Sequence, residues 1–371
     1  MVVLLNHVAQ ISPSLAVTES SEPQSVHGSL MRWLAYSPLR LFWAGTEAVV
    51  VFFILSGFVL ARAVADSSDR AWSGYFGKRF VRLYLPVVGA LLLAVLLRVS
   101  VRPRPIFDGN PVLNHLTVHR GLGNFVNDAI LLFKPGAWLP VLWSLRWEVI
   151  FSALLPLFVA LGKIGRRHPI MFLTLLGGLM ASSSITDRAF LYLPMFGIGV
   201  LLAETECSWT SWVTGRWGRS GPVLRLFTGV LCAVLLASSA LVLGSGFDRL
   251  SRFVLSDAGF SIVQMLVTGG AALLVMMAIC VSPVARVLEM RPVAWLGSRS
   301  YSLYLTHLPV VLTIAYVFKG WSWPGVVLIV LASLLMADVF YRFVERPSTM
   351  LARTVGEAVE REYEPSSPAE Q

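Results

Sequence analysis

Apolar runs long enough to cross a bilayer recur along this chain from end to end. They lie at 43–65, 83–100, 138–161, 223–244, 259–281, 293–317 and 324–343. A spanning helix needs ~20 mostly apolar residues. The stretch 170–203 is longer than one span and has a polar break from Ser184 to Arg188, so it reads as two shorter helices. "MVVLLNHVAQ" reads as the end of a further span. The expectation is therefore an all-α, polytopic membrane bundle of about ten helices, the first truncated at its N-terminus. "FVNDAILLF" (125–133) is too short to cross and is expected to lie in the interface or re-enter.

Charge supports that class. Only 14% of the 371 residues are charged, against 56% hydrophobic, whereas soluble domains carry roughly 25% charge. The net charge of +9 sits in short clusters between apolar runs, which fits membrane-flanking loops and anionic lipid rather than nucleic acid. Arg62, Arg70, Lys78, Arg79 and Arg82 form one cluster, and Lys163, Arg166 and Arg167 a second. Arg216, Arg219 and Arg225, then Arg286 and Arg291, complete the set. All four fall on one side if both termini are cytoplasmic, although Arg98, Arg102, Arg104 and Arg120 fall on the other. This predicts a multi-pass protein of the cell (plasma or inner) membrane. Residues 1–350 form the membrane domain, and 351–371 an acidic, disordered cytoplasmic tail. The three cysteines have no metal or redox spacing.

Polar residues inside the apolar runs carry the functional signal. "VLWSLRWEVIFSALLPLF" (141–158) holds Arg146 and Glu148 within a spanning helix, where a charge costs about 2.5–3.5 kcal/mol by insertion scales. Residues two apart point in nearly opposite directions, so the two do not cancel. Ser144, Glu148 and Ser152 share a face, which aims Glu148 at a polar partner on another helix. Arg79 and Arg82, three apart, suit either a cytoplasmic anchor or a clamp for phosphates. In "SRSYSLYLTHLPV" (298–310), Ser300, Tyr304 and His307 form a stripe at i, i+4 and i+7. That stripe suits a packed polar core, an acceptor site or a transport path. His7, with Gln10 a turn on, is a candidate general base. Ser56-Gly57 marks close helix packing, and "YRFVERPSTM" (341–350) reads as a helix stop at Glu345, Arg346 and Pro347.

Five stretches together resemble the membrane-bound acyltransferase family 3: "FFILSGFVLAR", "KRFVRLYLP", "LWSLRWEVIFSALLP", "LGSRSYSLYLTHLPV" and "YRFVERP". The resemblance implies transfer of an acyl group, usually acetyl, from cytoplasmic acyl-CoA, a co-substrate rather than a bound cofactor. The acceptor it implies is a hydroxyl of a glycan, a lipid-linked sugar or a secondary metabolite. It puts catalysis on His7 and Glu148 and donor binding on Arg79 and Arg82, with Ser300, Tyr304 and His307 as acceptor or polar-core candidates. The family's arginine ahead of the histidine would lie before Met1, so the first span is expected to start upstream. Its aspartate ahead of the Phe-Phe pair is replaced by Val50, with Glu47 nearby. On this reading Glu148 orients His7, as the carboxylate of a hydrolase triad orients its imidazole. His7 then acts as base or as an acyl carrier. The rivals are a transporter or flippase, whose inverted repeats and interrupted helices are not evident here, and an inactive member of the same family.

Overall fold

The computed structural model describes residues 1–11, 37–64, 69–101, 121–244, 253, 256–318 and 322–362. Every regular element among them is helical. Among the described residues six helices are long and apolar enough to span a bilayer. They are α2 (Gly45–Val64), α3 (Asp69–Val101), α5 (Leu142–Gly165), α11 (Asp257–Cys280), α14 (Ser300–Val317) and a rod from Trp323 onward. A seventh forms if α7 (Ala189–Glu204) and α8 (Glu206–Arg219), bent by 74°, count as one span. Shorter apolar helices are α1 (Val2–Ile11), α6 (Pro169–Ser182) and α9 (Pro222–Leu236). The nine-residue α4 (Leu122–Ile130) occupies the stretch expected to be too short to cross.

Leucines such as Leu96, Leu157 and Leu335 are more than half exposed on the outer faces of these helices. Aliphatic outer faces of that kind suit lipid. The interior is instead decided by close packing, for which small residues matter most. At the α2–α7 crossing, a Cβ on Gly57 would overlap the Phe196 carbonyl oxygen, and one on Gly199 the Ile54 carbonyl oxygen. The packing role read into Ser56-Gly57 is thus a backbone-to-backbone crossing.

Three boundaries differ from the sequence reading. The span expected at 83–100 begins at Asp69, so Arg79 and Arg82 lie inside α3. The run 293–317 divides into α13 (Arg291–Ser298) and α14. Between them Arg299 donates to Asp338 at 2.5 Å and lies over the Trp295 ring, and this side-chain anchorage separates the two helices. The chain also does not stop at Pro347. The helix α15 (Trp323–Phe340) passes through a π-turn, Tyr341–Glu345, into α16 (Arg346–Glu362). The Arg346 N–H reaches back to Tyr341, and the wider turn admits Pro347, which has no N–H to give and would crowd an ordinary helical turn. Helix thus covers residues expected to begin the disordered tail; 363–371 lie outside the described residues.

Among the described residues the buried core has two large clusters and a small one that joins Phe172 and Leu176 of α6 to Leu201 of α7. One large cluster gathers α1, the inner half of α3, the start of α5, α14 and α15; the other gathers α2, the middle of α5, α7 and α11. Helix α5 contributes Leu142 and Leu145 to the first and Trp147, Phe151 and Leu155 to the second. It is the seam between the two, and it carries Ser144 and Glu148.

Candidate functional site

Polar residues at the start of α14 anchor the helix on three sides. The Tyr301 hydroxyl donates to the Leu83 carbonyl of α3 at 3.0 Å. The Tyr304 hydroxyl donates to the Val141 carbonyl at 2.7 Å and lies 2.6 Å from the Ser144 hydroxyl, which can donate to it. Ser302 gives both its N–H (3.0 Å) and its hydroxyl (2.5 Å) to Glu345 in the π-turn. One turn beyond Tyr304, His307 is 1% exposed.

His307 meets His7. Nε2 of His307 is 3.3 Å from Nδ1 of His7, with ring centroids 5.1 Å apart. Each ring also bonds the carbonyl one turn back on its own helix, His7 Nδ1 to Val3 and His307 Nδ1 to Leu303, both at 2.9 Å. A carbonyl oxygen only accepts, so both Nδ1 atoms carry the proton. The Nε2 lone pair of His307 then accepts from His7 Nδ1–H, and the lone pair of His7 sits on its own Nε2. His7 is thereby oriented as a base, with an acceptor behind it able to share the charge of an imidazolium.

Two cavities flank this pair. One, of about 190 Å³, is lined by His307, Ser300, Tyr301, Ser144, Leu145, Leu4 and Phe52 among others. The other, of about 200 Å³, is lined by His7, Asn6, Gln10, Thr46, Pro140, Val141 and Trp143. Val3, Val49 and Tyr304 are walls of both.

Glu148 is not beside His7. Its carboxylate, 2% exposed, pairs with the Arg79 guanidinium, whose Nε also donates to Ser152 at 3.0 Å. The face shared by Ser144, Glu148 and Ser152 therefore finds its partners as the spacing implied, but on α3 and α14. The place behind His7 that a carboxylate was expected to fill is taken by His307. Arg79 and Arg82 diverge: Arg79 turns inward to Glu148, whereas Arg82 is exposed, within electrostatic reach of Glu345 and Tyr301. Arg146 lies over the ring of its neighbour Trp147, 4.7 Å from the centroid. Glu47 is 7% exposed and accepts from Ser239 at 2.9 Å. Sequence reasoning passed over Ser302 and Asp128. Each is a buried polar residue in an apolar stretch, the same signal that drew attention to Glu148.

A family model described as an acyltransferase domain matches residues 1–342. The chain belongs to acyltransferase family 3. Among curated relatives of this family 3 chain, the peptidoglycan O-acetyltransferase OatA of Listeria monocytogenes is 24% identical over 333 residues, 83% of this chain and 52% of its own. YrhL of Bacillus subtilis is 25% identical over 339 residues, 83% of this chain and 51% of its own. The O-acetyltransferase OatA of Staphylococcus aureus is 36% identical over a shorter stretch of 96 residues, 24% of this chain and 15% of its own. The chain spans about half the length of the first of these relatives. No solved structure matches it.

Proposed function

We propose that this chain is a membrane-embedded O-acyltransferase that moves an acyl group, normally acetyl, from cytoplasmic acyl-CoA to a hydroxyl of a glycan. The observation that carries the reading is the histidine pair, with one cavity on each ring, in a member of an acyltransferase family. The likeness to peptidoglycan O-acetyltransferases supports a peptidoglycan-type acceptor. The proposed ten crossings add three shorter apolar helices to the six long ones and the bent pair, and the distribution of basic clusters supports cytoplasmic termini.

In this mechanism His7 Nε2 takes the proton of the acceptor hydroxyl as its oxygen attacks the thioester carbonyl. The C–O bond forms, the C–S bond breaks, and the departing CoA thiolate recovers the proton from the imidazolium. His307 Nε2, accepting from His7 Nδ1–H, stabilises the cation while it lasts. An acyl-histidine on Nε2 is the stepwise alternative. The cavity of His7 takes the acceptor and that of His307 the acyl end of the donor. Arg82 meets the CoA phosphates, while Glu148 holds Arg79 so that the cationic end of α3 keeps its place.

The test is transfer by purified protein in detergent, with radiolabelled acetyl-CoA and a soluble glycan fragment. Label should enter the acceptor with wild type and not with His7→Gln; CoA-independent transfer would overturn the donor assignment. Orientation is tested by single cysteines in a background lacking Cys207, Cys232 and Cys280. A cysteine at His168 should be shielded from an impermeant reagent in intact cells and one at Ser322 should react. The reverse pattern would put the site upside down.

A further inference from the structure

A fully buried carboxylate outside the histidine site shapes one of its walls. Asp128, near the end of α4, is 0% exposed. Its Oδ1 accepts from the N–H groups of Gly136 (2.8 Å) and Ala137 (3.1 Å), and its Oδ2 from those of Trp138 (2.6 Å) and Leu139 (3.3 Å). A buried carboxylate needs such compensation, and four successive amide dipoles supply it.

The same four bonds hold a backbone that would otherwise relax. Leu131 (φ 63°), Lys134 (φ 50°) and Gly136 (φ 128°) all sit in the left-handed region, which disfavours side-chain-bearing residues such as the first two. Immediately downstream, Pro140, Val141 and Trp143 wall the His7 cavity, and the Val141 carbonyl receives the Tyr304 hydroxyl. Hydrogen bonds thus lead from Asp128 to the backbone of 136–139, two residues before the Val141 carbonyl that receives Tyr304.

We propose that Asp128 is a positioning residue for the acceptor side: by gripping the amides of 136–139 it sets the Val141 carbonyl and, through it, the Tyr304 hydroxyl at the wall of the His7 cavity. This rests on the reading of that cavity as the acceptor site. A mere staple would alter folded yield alone. A positioning residue shifts acceptor binding and leaves donor binding in place.

The experiment is Asp128→Asn in the full chain, read three ways: KM for the glycan fragment, KM for acetyl-CoA, and hydrogen exchange of the amides at 136–139. Asparagine keeps one accepting oxygen and turns a donor toward the remaining amides. Acceptor KM should rise about tenfold or more, the size of a lost charge-assisted contact. Donor KM should stay within about twofold of wild type, well below that lost-contact scale, and exchange at 136–139 should quicken. Equal rises in both KM values, or none, would overturn the assignment. If Asp128→Asn does not fold, Tyr304→Phe decides. It should raise acceptor KM more than donor KM, since Tyr304 walls both cavities whereas the Val141 carbonyl it binds belongs to that of His7, and it should leave exchange at 136–139 unchanged; a normal acceptor KM there sinks the proposal. A His7→Gln variant that turns over normally would instead remove the underlying reading, whatever Asp128 does.

Discussion

The two cavities that meet at the histidine pair are nearly equal in size and opposite in character. Around His307 the walls are mostly aliphatic and aromatic, with Leu4, Val49, Phe52, Leu145 and Leu303. Around His7 they include Asn6, Gln10 and Thr46. About 190 and 200 Å³ fall below the 300–1,000 Å³ usual for whole small-molecule ligands. Each therefore suits the reacting end of a substrate: an acyl group on one side, a hydroxylated one on the other. The difference teaches that the two rings of one histidine pair can face cavities of different polarity.

The largest expected effect tests which side holds the base. His7→Gln should lower kcat by about 10²–10⁴-fold with intact membrane insertion, and steady-state turnover reads it directly. His307→Gln should cost less, and the double variant should be little worse than His7→Gln alone, because groups acting as one unit are non-additive. Near-normal turnover in His7→Gln beside a dead His307→Gln would exchange the roles of the two cavities.

Next comes Glu148→Gln, which strands the Arg79 guanidinium in the interior. Removing one partner of a buried pair costs about 3–5 kcal/mol, visible as a lowered thermal midpoint in detergent. Its effect on turnover should add to that of His7→Gln, since the two residues are not in contact. Sub-additivity would restore Glu148 to the histidine centre.

Smaller still, Arg82→Gln should raise the KM for acyl-CoA by about 10- to 100-fold, from a contact worth roughly 1.5–3 kcal/mol, and leave the acceptor KM alone. The smallest effect probes the apolar walls. Phe52→Ala should shift preference from acetyl-CoA toward propionyl-CoA by roughly fourfold, the worth of one buried methylene at ~0.8 kcal/mol. An unchanged preference would mean that the acyl group does not enter the His307 cavity.

How much of this was legible in the sequence depended on whether the information is local. The Ser300–Tyr304–His307 stripe and the Ser144–Glu148–Ser152 face follow from helical spacing alone, and the structure keeps both faces. That Glu148 needs a partner is equally local, because a lone charge in an apolar helix is costly. Which partner it takes is not: Arg79, 69 positions away, and His7 were both chemically acceptable, and only helix packing chooses. The His7–His307 contact joins residues 300 positions apart, and nothing in either segment encodes that distance. Pro347 was read by its usual effect on a helix, which the π-turn evades. Asp128 went unread because its four partners are backbone amides, which every residue except proline has.

The pinning of both imidazoles to their own helices bears on the cell's energy supply. A chain of titratable groups inside a membrane protein risks becoming a path for protons down the electrochemical gradient. A proton arriving at His7 can be passed as far as Nε2 of His307, but the remaining nitrogen of that ring already points its hydrogen at the Leu303 carbonyl. Onward travel would require the buried His307 ring to turn over. The pair is thus a dead end for current, able to borrow a proton during turnover and return it the way it came.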